Sequence, residues 1–471
     1  MVHEGWSVHR GGLAASPAIS ATLVFLGALA LAVMPCRALT WEVTAVDGPG
    51  DVGAYASIAL GPDGNPGISY CASSTDDLKY AYLSGGTWLT ETVDAATRTG
   101  WYTSLAFDAG GFPCIAYWDL TNSALRYARW TGSAWAKETV DNSAYVGQCC
   151  SLALDSQGNP AISYYDYTNG DLRYAKWDGA AWRIEVVEDG APLMGAGLYT
   201  SLVLDEQDRP HISHADHTTG QLRYAWWDGA QWNRETIDGG TPIGTSIRLD
   251  ADQVPHVSYA YQFGQGSHLK YAARTGPGGI WQVQVVHLGG QVGLYSSLRL
   301  LPNGDPCILS WDLGHGIVDY DWFSAGVWSR DEIETMGWTD QWCALVLDET
   351  GSPHAAYRSA AELDLHYAVG SDPAAVPEAM LSNPLAALSV VPNPARRGES
   401  IRLAQSMPAS ASLRIFDLLG REVAGPFTVT ATGGGAGAVA WVPPSTLSPG
   451  VYLIRAEAAG RELSGRLVII R

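Results

Sequence analysis

Hydrophobic and polar residues alternate in short stretches along most of the chain, and turn-forming residues separate the stretches. The segment after Trp135 is representative: it reads KETVD, a loop, CSLALD, the turn SQGNP, AISYYD, the turn YTNG, DLRYAKW, the turn DGAA, and then Trp182. Alternation over four to eight residues between turn signals is typical of β-strands. The pattern therefore predicts a unit of four strands, which we name a (SLALD), b (AISYYD), c (LRYAKW) and d (WRIEVV) in chain order.

This four-strand unit recurs along the chain. Strand a recurs as ASIAL, TSLAF, CSLAL, TSLVL, TSIRL, SSLRL and CALVL, so there are seven units. Strand d begins on a tryptophan at intervals of 47 to 50 residues, at Trp41, Trp88, Trp135, Trp182, Trp232, Trp281 and Trp328. Seven four-stranded units of this length are typical of a β-propeller, in which each sheet buries its faces against its neighbours.

The two ends of the repeat complement each other. The seventh unit ends after its strand c, Leu365–Ala368, and the repeat begins with an unmatched strand d, Trp41–Val46. Pairing of these two strands would close the ring and remove two exposed sheet edges. The predicted fold is therefore all-β: a seven-bladed β-propeller closed by an N-terminal strand and followed by a small immunoglobulin-like β-sandwich.

The repeated tryptophans have a structural interpretation. Four-residue turns would place aromatic side chains opposite each other across the c–d hairpins, and such cross-strand pairs stabilise a sheet by roughly 0.2–1 kcal/mol each. The predicted pairs are Trp130 with Trp135, Trp177 with Trp182, and Trp227 with Trp232.

Charge and motifs exclude several functions. The chain carries 28 basic and 48 acidic residues, a net charge of −20 that repels phosphate backbones, so nucleic acid is not expected as a partner. The HExxH, GxSxG and phosphate-loop motifs are absent, as is the SxDxGxxW box of sialidase propellers. Paired carboxylates for glycoside cleavage need not be close in sequence, so an enzyme remains open.

Cysteine and histidine spacing predicts no metal site, and no cofactor is expected. His211, His214 and His217 follow one strand, where the outer two are roughly 20 Å apart at about 3.3 Å per residue and His214 points the other way. One metal ion cannot contact all three. Six cysteines follow the N-terminal segment without a CxxC pair, and both disulfides and buried free thiols remain open. They are Cys71, Cys114, Cys149, Cys150, Cys307 and Cys343.

Both ends of the chain carry features of an exported protein. Basic residues precede the apolar stretch Ile19–Met34, and Ala38 suits cleavage, so residues 1–38 are predicted to be a signal peptide, with a single-pass anchor as the alternative. No other segment could span a membrane. Residues 371–388 are rich in alanine, proline and serine and are predicted to link the propeller, residues 39–370, to a C-terminal domain, residues 389–471.

The C-terminal domain contains VPNP, IFDLLGREV, PGVY and a basic-aliphatic ending, LVIIR, in that order. These motifs resemble the C-terminal sorting domain of the type IX secretion system, which is similar to the FlgD-like immunoglobulin fold. The resemblance implies recognition by the secretion machinery and a secreted or outer-surface location in a Gram-negative-type bacterium. The propeller repeats themselves resemble those of seven-bladed, lectin-like secreted bacterial propellers.

Ligand binding is predicted on the face that carries the d–a and b–c connections. The other turns are short and uniform, whereas the d–a loops vary, and Glu188–Leu198 is longer than its counterparts. An aromatic residue opens strand a in five units, at Tyr55, Tyr102, Tyr199, Tyr295 and Trp342, and an aspartate ends strand b in four, at Asp119, Asp166, Asp216 and Asp312. Aromatic faces beside carboxylates suit a sugar. The structural alternatives are rings that fill gaps between blades and aspartates that cap turns.

These features favour a non-enzymatic extracellular binding protein that recognises a glycan or a surface partner. A polysaccharide-active enzyme is the second interpretation, and a purely structural surface protein is the third. Several equivalent pockets would favour binding, whereas one deep pocket with close carboxylates would favour an enzyme.

Overall fold

Four-stranded antiparallel sheets dominate the structure. A computed structural model describes residues 39–193, 195–335, 342–359 and 361–371, together with the strands between residues 389 and 470. The predicted signal peptide, residues 1–38, and nearly all of the predicted linker lie outside the described residues. Within the described part of the chain every regular element is a strand, and no helix has the length and apolarity of a membrane span.

Twenty-eight strands precede the C-terminal segment. In chain order they are β1 (Thr40–Asp47), β2 (Val52–Leu60), β3 (Pro66–Ala72), β4 (Asp77–Ser84), β5 (Thr87–Asp94), β6 (Trp101–Phe107), β7 (Pro113–Asp119), β8 (Ala124–Trp130), β9 (Trp135–Asp141), β10 (Val146–Leu154), β11 (Pro160–Asp166), β12 (Asp171–Trp177), β13 (Trp182–Glu188), β14 (Ala196–Leu204), β15 (Pro210–Asp216), β16 (Gln221–Trp227), β17 (Trp232–Gly239), β18 (Thr241–Leu249), β19 (Pro255–Phe263), β20 (Gly266–Arg274), β21 (Trp281–His287), β22 (Leu294–Leu300), β23 (Pro306–Asp312), β24 (Ile317–Ser324), β25 (Val327–Thr335), β26 (Cys343–Leu347), β27 (Pro353–Arg358) and β28 (Leu365–Ser371).

These strands form seven blades, and each blade runs from strand a to strand d. Blades 1 to 6 are β2–β5, β6–β9, β10–β13, β14–β17, β18–β21 and β22–β25. Blade 7 consists of β26, β27 and β28, and β1 pairs antiparallel with β28, with Thr40 opposite Ser371 and Asp47 opposite Leu365. The predicted seven-bladed fold and its closure by the N-terminal strand are therefore confirmed.

Aromatic pairs join each blade to the next. A tyrosine on every strand c meets the tryptophan that opens strand d of a neighbouring blade, edge to face, with ring centroids 5.1 to 5.7 Å apart. Three of these tryptophans, Trp135, Trp182 and Trp232, also face the predicted partners across their own c–d hairpins at 5.6 to 5.8 Å. The repeated tryptophans thus pack within and between blades.

A buried or half-buried carboxylate near the end of strand d joins six blades to the next one. At the junction of blades 2 and 3, Asp141 accepts hydrogen bonds from Tyr164 Oη on strand b at 2.7 Å and from Arg173 Nη1 on strand c at 3.0 Å. At all six junctions a strand-b tyrosine or histidine donates at 2.6 to 3.1 Å. The six carboxylates belong to Asp47, Asp94, Asp141, Glu188, Asp238 and Glu334.

The junction of blades 5 and 6, called junction 5/6 below, reverses this arrangement. His287 stands at the position of the carboxylate, Ser310 at that of the tyrosine, and Asp319 at that of the basic residue. Arg330, on strand d of blade 6, approaches His287 Nε2 to 2.9 Å and donates to Asp321 Oδ1 at 3.0 Å. The positive charge therefore comes from strand d of blade 6 rather than from its strand c.

A ring of serine side chains ties the strands that line the central channel. Each serine hydroxyl accepts a hydrogen bond from a backbone N–H on strand a of the next blade, at 2.9 to 3.2 Å. The six residues are Ser57, Ser104, Ser151, Ser201, Ser246 and Ser297. Blade 7 carries Ala344 at this position, so the junction of blades 7 and 1, where the ring closes, lacks the seventh bond.

The C-terminal segment is also built of strands. They are β29 (Ser389–Val391), β30 (Ala395–Arg396), β31 (Ile401–Ala404), β32 (Ser410–Phe416), β33 (Glu422–Thr430), β34 (Val439–Trp441), β35 (Gly450–Ala458) and β36 (Arg461–Ile470). One sheet has the order β29-β31-β34 and the other has the order β30-β36-β35-β32-β33. Two small sheets agree with the predicted immunoglobulin-like sandwich.

Candidate functional site

The five predicted aromatic residues lie together at one end of the central channel. We call Tyr55, Tyr102, Tyr199, Tyr295 and Trp342 the channel ring; Cys149 and Gly244 complete the seven equivalent positions. Four of the aromatic residues and Cys149 have a left-handed backbone, with φ between 51° and 54°. In these blades the pairing of strand a with strand b shifts register at this position, as in a β-bulge. In blade 1, for example, the shift lies between Ala54 and Ser57 of β2. The bulge bends strand a at this position.

The rings of the channel ring pack on one another. Trp342 lies 4.2 Å from Tyr295 and 5.3 Å from Tyr55, measured between ring centroids, and Tyr55 lies 4.7 Å from Tyr102. With strand-a hydroxyl and thiol groups they line a cavity of about 150 Å³. Burial raises the pKa of the Tyr102 hydroxyl well above its usual value, so this phenol stays neutral. Half-buried rings in mutual contact fill this end of the channel.

The four predicted aspartates are engaged by the protein's own turns. Each is the last residue of its strand b and is at most 8% exposed. Asp166 Oδ1 accepts hydrogen bonds from the backbone N–H groups of Thr168 and Asn169 at 3.0 and 3.1 Å. Asp119, Asp216 and Asp312 accept equivalent bonds from their own b–c turns. These carboxylates hold the turns of the d–a/b–c face in shape.

A second aromatic group extends from the channel ring across the d–a/b–c face. We call Trp101, Trp118, Tyr145 and Tyr167 the aromatic ridge. Ring centroids are 6.2 Å apart for Trp101 and Trp118, 5.3 Å for Trp118 and Tyr145, and 5.4 Å for Tyr145 and Tyr167. The inner end touches the channel ring, with Tyr55 5.2 Å from Trp101 and Tyr102 6.0 Å from Trp118. At the outer end Tyr167 is 37% exposed.

The long d–a loop between β13 and β14 borders the outer end of the ridge. Its Leu193 donates a backbone hydrogen bond to the Tyr167 carbonyl at 3.2 Å, and the Leu193 side chain is 54% exposed. The loop lies so close to the b–c turn that a Cβ atom on Gly170 would come within 1.8 Å of the Ala191 carbonyl oxygen. This close approach requires glycine and fixes the loop beside Tyr167.

The sequence interpretation missed the aromatic ridge, although a signal was present. Tyr145 lies in a d–a loop and Tyr167 in a b–c turn, the two connections assigned to the binding face. Neither aromatic recurs at the equivalent position of every unit, so a search for repeated residues passes over them. A search for unrepeated aromatics in these connections would have found both.

Among the residues that the structure describes, histidines and carboxylates form one group whose geometry could hold a metal ion. Ligand atoms of His287, Asp312 and Asp319 all lie within 4.8 Å of one another at junction 5/6. Arg330 already supplies positive charge there, 3.7 Å from Asp319 and in contact with His287. The guanidinium competes with a cation for these groups.

The three histidines of β15 have separate partners. His211 contacts Tyr224 Oη, His214 Nε2 lies 3.1 Å from Glu188, and His217 Nε2 lies 3.0 Å from the Pro242 carbonyl. All six cysteines of the described residues are buried free thiols. For Cys149 and Cys343, burial raises the pKa to about 12, so these thiols are not reactive thiolates at neutral pH.

Comparison with known families assigns the C-terminal segment. Residues 389–470 match the family described as the secretion system C-terminal sorting domain. The predicted sorting domain is thereby confirmed, and the chain is a seven-bladed propeller that carries a sorting tail of an exported protein. A type IX sorting domain implies a secreted or cell-surface bacterial protein.

Solved structures resemble the propeller in fold. A polysaccharide lyase of family PL25, an ulvan lyase bound to -[GlcA(1-4)Rha3S]-, is 13% identical with a TM-score of 0.51, covering 69% of this chain and 94% of the lyase. AofleA from Arthrobotrys oligospora is 17% identical with a TM-score of 0.42, covering 64% and 91%. A protein of unknown function from Dyadobacter fermentans DSM 18053 is 11% identical with a TM-score of 0.46, covering 70% and 98%. No curated protein matches the chain. At 13% identity, the likeness to the lyase shows a shared fold alone.

Proposed function

We propose that this is an exported carbohydrate-binding protein whose ligand lies on the d–a/b–c face, against the outer end of the aromatic ridge. The observation that carries the proposal is the continuous contact of aromatic rings from the channel ring to Tyr167, which ends in exposed apolar surface beside Leu193. Aromatic faces stack on the C–H faces of sugar rings. Exposed Thr168 and Asn169 lie next to Tyr167 and offer polar groups for ligand hydroxyls.

The residues predicted from the repeat have supporting roles in this proposal. Tyr102 packs on Trp118, so the channel ring holds the ridge from behind. Asp166 shapes the turn that presents Tyr167, and its second oxygen accepts from Asn169 Nδ2 at 2.7 Å. Rigid support of this kind limits the conformational entropy lost on binding. We therefore expect the ridge to contact ligand, and the channel ring and aspartates to position it.

The first test is binding of the secreted full-length chain to an array of neutral and acidic oligosaccharides. We expect specific binding that weakens at least tenfold in Tyr167→Ala and in Tyr145→Ala. Leu89→Ala removes an exposed apolar side chain from the outer strand of blade 1 and is the matched control, expected to bind as wild type.

A blank array with correctly folded protein would overturn carbohydrate binding. The next assays would then be capture of surface proteins, which corresponds to the alternative partner, and release of reducing or unsaturated ends from polysaccharides, which corresponds to an enzyme. Loss of binding in Leu89→Ala but not in Tyr167→Ala would move the site away from the ridge.

A further inference from the structure

A large groove lies between blades 1 and 2, on the face that carries the a–b and c–d turns, opposite the ridge. Its volume is about 510 Å³, within the range of about 300–1,000 Å³ that is typical of small-molecule sites. Tyr80 and Tyr82 of β4 contribute one wall, and Phe107, Phe112 and Trp130 of blade 2 contribute the other. We call this cavity the blade 1/2 groove.

The groove is a departure from the repeat. Phe107 stands where the other six blades carry leucine, at Leu60, Leu154, Leu204, Leu249, Leu300 and Leu347. Phe112 stands where they carry Asn65, Asn159, Arg209, Val254, Asp305 and Ser352, so this aromatic is unique to blade 2. Residues that the scaffold needs recur in every blade. Aromatics present in one blade are therefore not explained by the fold alone.

Because residue 67 is glycine, the hydroxyl of Tyr80 is free to bind a ligand in the wall of the groove. A Cβ atom on Gly67 would lie 2.6 Å from Tyr80 Oη and 2.9 Å from Phe107 Cζ. In blades 4, 5 and 7 the equivalent residue is a histidine that contacts the equivalent tyrosine hydroxyl, as His211 contacts Tyr224. Gly67 offers no such side chain. Burial raises the pKa of Tyr80, so its hydroxyl stays protonated and can donate to a ligand.

Two carboxylates add hydrogen-bond acceptors to the groove. Glu91 Oε1 accepts from Trp135 Nε1 at 3.0 Å, and the carboxylate of Asp63 accepts from Asn65. The hydrogen bonds to Asn65 hold the pKa of Asp63 below its usual value, so this carboxylate is charged at neutral pH. A carboxylate has about four acceptor positions, so both groups can accept further bonds from ligand hydroxyls.

We infer that the blade 1/2 groove is a second carbohydrate site, which takes a neutral saccharide of one or two rings. Aromatic walls suit the C–H faces of a sugar, and the two carboxylates with Tyr80 Oη suit its hydroxyls. The carboxylates repel uronic acids and sulfated sugars. This site goes beyond the proposed function, because it lies on the opposite face and shares no residue with the ridge. Two sites on opposite faces would make the protein a bivalent cross-linker.

A quaternary ammonium ion is the other ligand that aromatic rings and carboxylates can bind. The groove favours the saccharide for two reasons. Tyr80 and Tyr82 are stacked side by side along one strand, with 16° between their planes, and form a flat wall rather than an enclosing cage. The guanidinium of Arg129 already lies over Phe112, 5.7 Å from the ring centroid, and is paired with Asp108.

The repeat itself supplies substitutions that test the groove without disturbing the fold. Phe112→Asn installs the residue found at this position in blades 1 and 3, and Tyr82→Ala installs that of blade 5, represented by Asn159 and Ala273. Gly67→Ala installs the residue of blade 3, Ala161, but its Cβ atom would displace Tyr80 and Phe107, so this variant changes the shape of the groove wall. Thermal unfolding and circular dichroism of each full-length variant verify that it folds.

The experiment titrates the full-length chain with cellobiose, maltose, lactose, glucuronic acid and choline, and follows tryptophan fluorescence and calorimetric heat. We expect at least one neutral disaccharide to bind, and the double variant Tyr82→Ala/Phe112→Asn to bind it at least tenfold more weakly. Ile184→Ala, which removes an exposed apolar side chain from the outer strand of blade 3, should bind it as wild type. Glucuronic acid and choline should bind at least tenfold more weakly than that disaccharide.

Three outcomes would overturn the inference, and they separate it from the proposed function. No binding of any neutral saccharide by folded protein excludes a neutral-sugar site. Tighter binding of choline reassigns the groove to a cation. Binding that falls in Tyr167→Ala but persists in the double variant places the saccharide on the ridge, which leaves the proposed function intact and removes the second site.

Discussion

Two hydrogen-bond networks join the blades, and they are interrupted at different places. The carboxylate network keeps one polarity at six junctions and reverses it at junction 5/6, where Asp319 replaces the basic residue. The serine network is complete at six junctions and lacks one bond between blades 7 and 1, where Ala344 replaces serine. The first difference exchanges charges in a buried place. The second removes a single neutral hydrogen bond.

The comparison shows that the propeller tolerates a change of chemistry where another interaction takes over. Within blade 7, strand β1 pairs with β28, and the chain continues from β1 directly into β2 of blade 1, so this pairing holds the closure. At junction 5/6, Arg330 compensates only part of the negative charge. Burial raises the pKa of Asp319 to about 7 and that of Asp321 to about 6, so both carboxyls retain protons at pH values where an exposed aspartate has lost them.

The largest effect should come from removing the carboxylate of a regular junction. Asp141→Ala leaves the buried Tyr164 hydroxyl without its acceptor, and it removes one of the two carboxylates that pair with Arg173, which keeps Asp166 and Ser143 Oγ. We expect the free energy of unfolding to fall by about 3–5 kcal/mol. Asp319→Asn at junction 5/6 should change it by less than about 1 kcal/mol at pH 5, because the asparagine resembles the protonated acid. Urea unfolding of both variants at pH 5 measures the contrast, and equal losses would contradict it.

The second effect is a pH dependence that is specific to junction 5/6. The folded-state pKa of Asp319 lies above its unfolded value near 3.8, so the native state binds the extra proton and stability falls as pH rises from about 4 to about 7. Asp319→Asn removes this loss. Its stability relative to wild type should therefore increase between pH 5 and pH 8, on the order of 2 kcal/mol.

The measurement is urea unfolding of wild type and Asp319→Asn at several pH values between 5 and 8. Asp189→Asn, an exposed carboxylate in the loop after β13, is the control and should show a constant difference from wild type. A constant difference for Asp319→Asn as well would mean that Asp319 titrates normally in the folded protein.

Breaking the serine network at a regular junction should have a smaller effect. Ser151→Ala removes the acceptor of the Leu202 N–H, which the hydroxyl contacts at 3.0 Å. We expect a loss of about 1 kcal/mol in the free energy of unfolding. Thermal and urea unfolding can be compared directly with Asp141→Ala, since each change removes a contact between blade 3 and a neighbouring blade. A loss as large as that of Asp141→Ala would contradict the ranking.

The smallest effect should come from restoring the missing bond at the closure. Ala344→Ser places a hydroxyl where the Ile58 N–H of blade 1 is the equivalent donor, and we expect a gain of up to about 1 kcal/mol. The urea midpoint should rise slightly without a change of slope. A lower midpoint would show that the hydroxyl does not fit among the apolar residues at this junction.

The local pattern of residues was sufficient to predict the blades, because within blades 1 to 6 each strand pairs with the strand next to it in sequence. The alternation in SLALD and AISYYD, the turns between them and the recurring tryptophans predict the blades. The unmatched strand at Trp41–Val46 predicts their closure. The pairing of Trp130 with Trp135 was predictable for the same reason, since a short hairpin determines which side chains face each other.

The proposed ridge site could not be predicted from the repeat in the same way. Residues such as Tyr102 and Asp166 were predicted because their residue types recur at equivalent positions of several blades. In the structure Asp166 accepts hydrogen bonds from its own turn, and Tyr102 packs among the rings at the channel end. Tyr145 and Tyr167 occur once each, on different connections, and the pairing of β10 with β11 in blade 3 brings them together. The contact of Trp118 with Tyr145 forms only when blade 3 packs beside blade 2. Contacts between blades depend on the rotation from one sheet to the next, which no short stretch of sequence encodes.

By itself, the sequence determined the strands, the number of blades, the ring closure and the sorting tail, because each is encoded in contiguous residues or in strict repetition. Only the tertiary structure decided which aromatics meet on each face. The groove that Tyr80 and Tyr82 line together with Phe107 and Phe112, and the burial that raises the pKa of Asp319, both arise from packing between units. Packing is a property of the assembled ring, so the effects of residues that depart from the repeat, such as a groove or a shifted pKa, can be seen only in the tertiary structure.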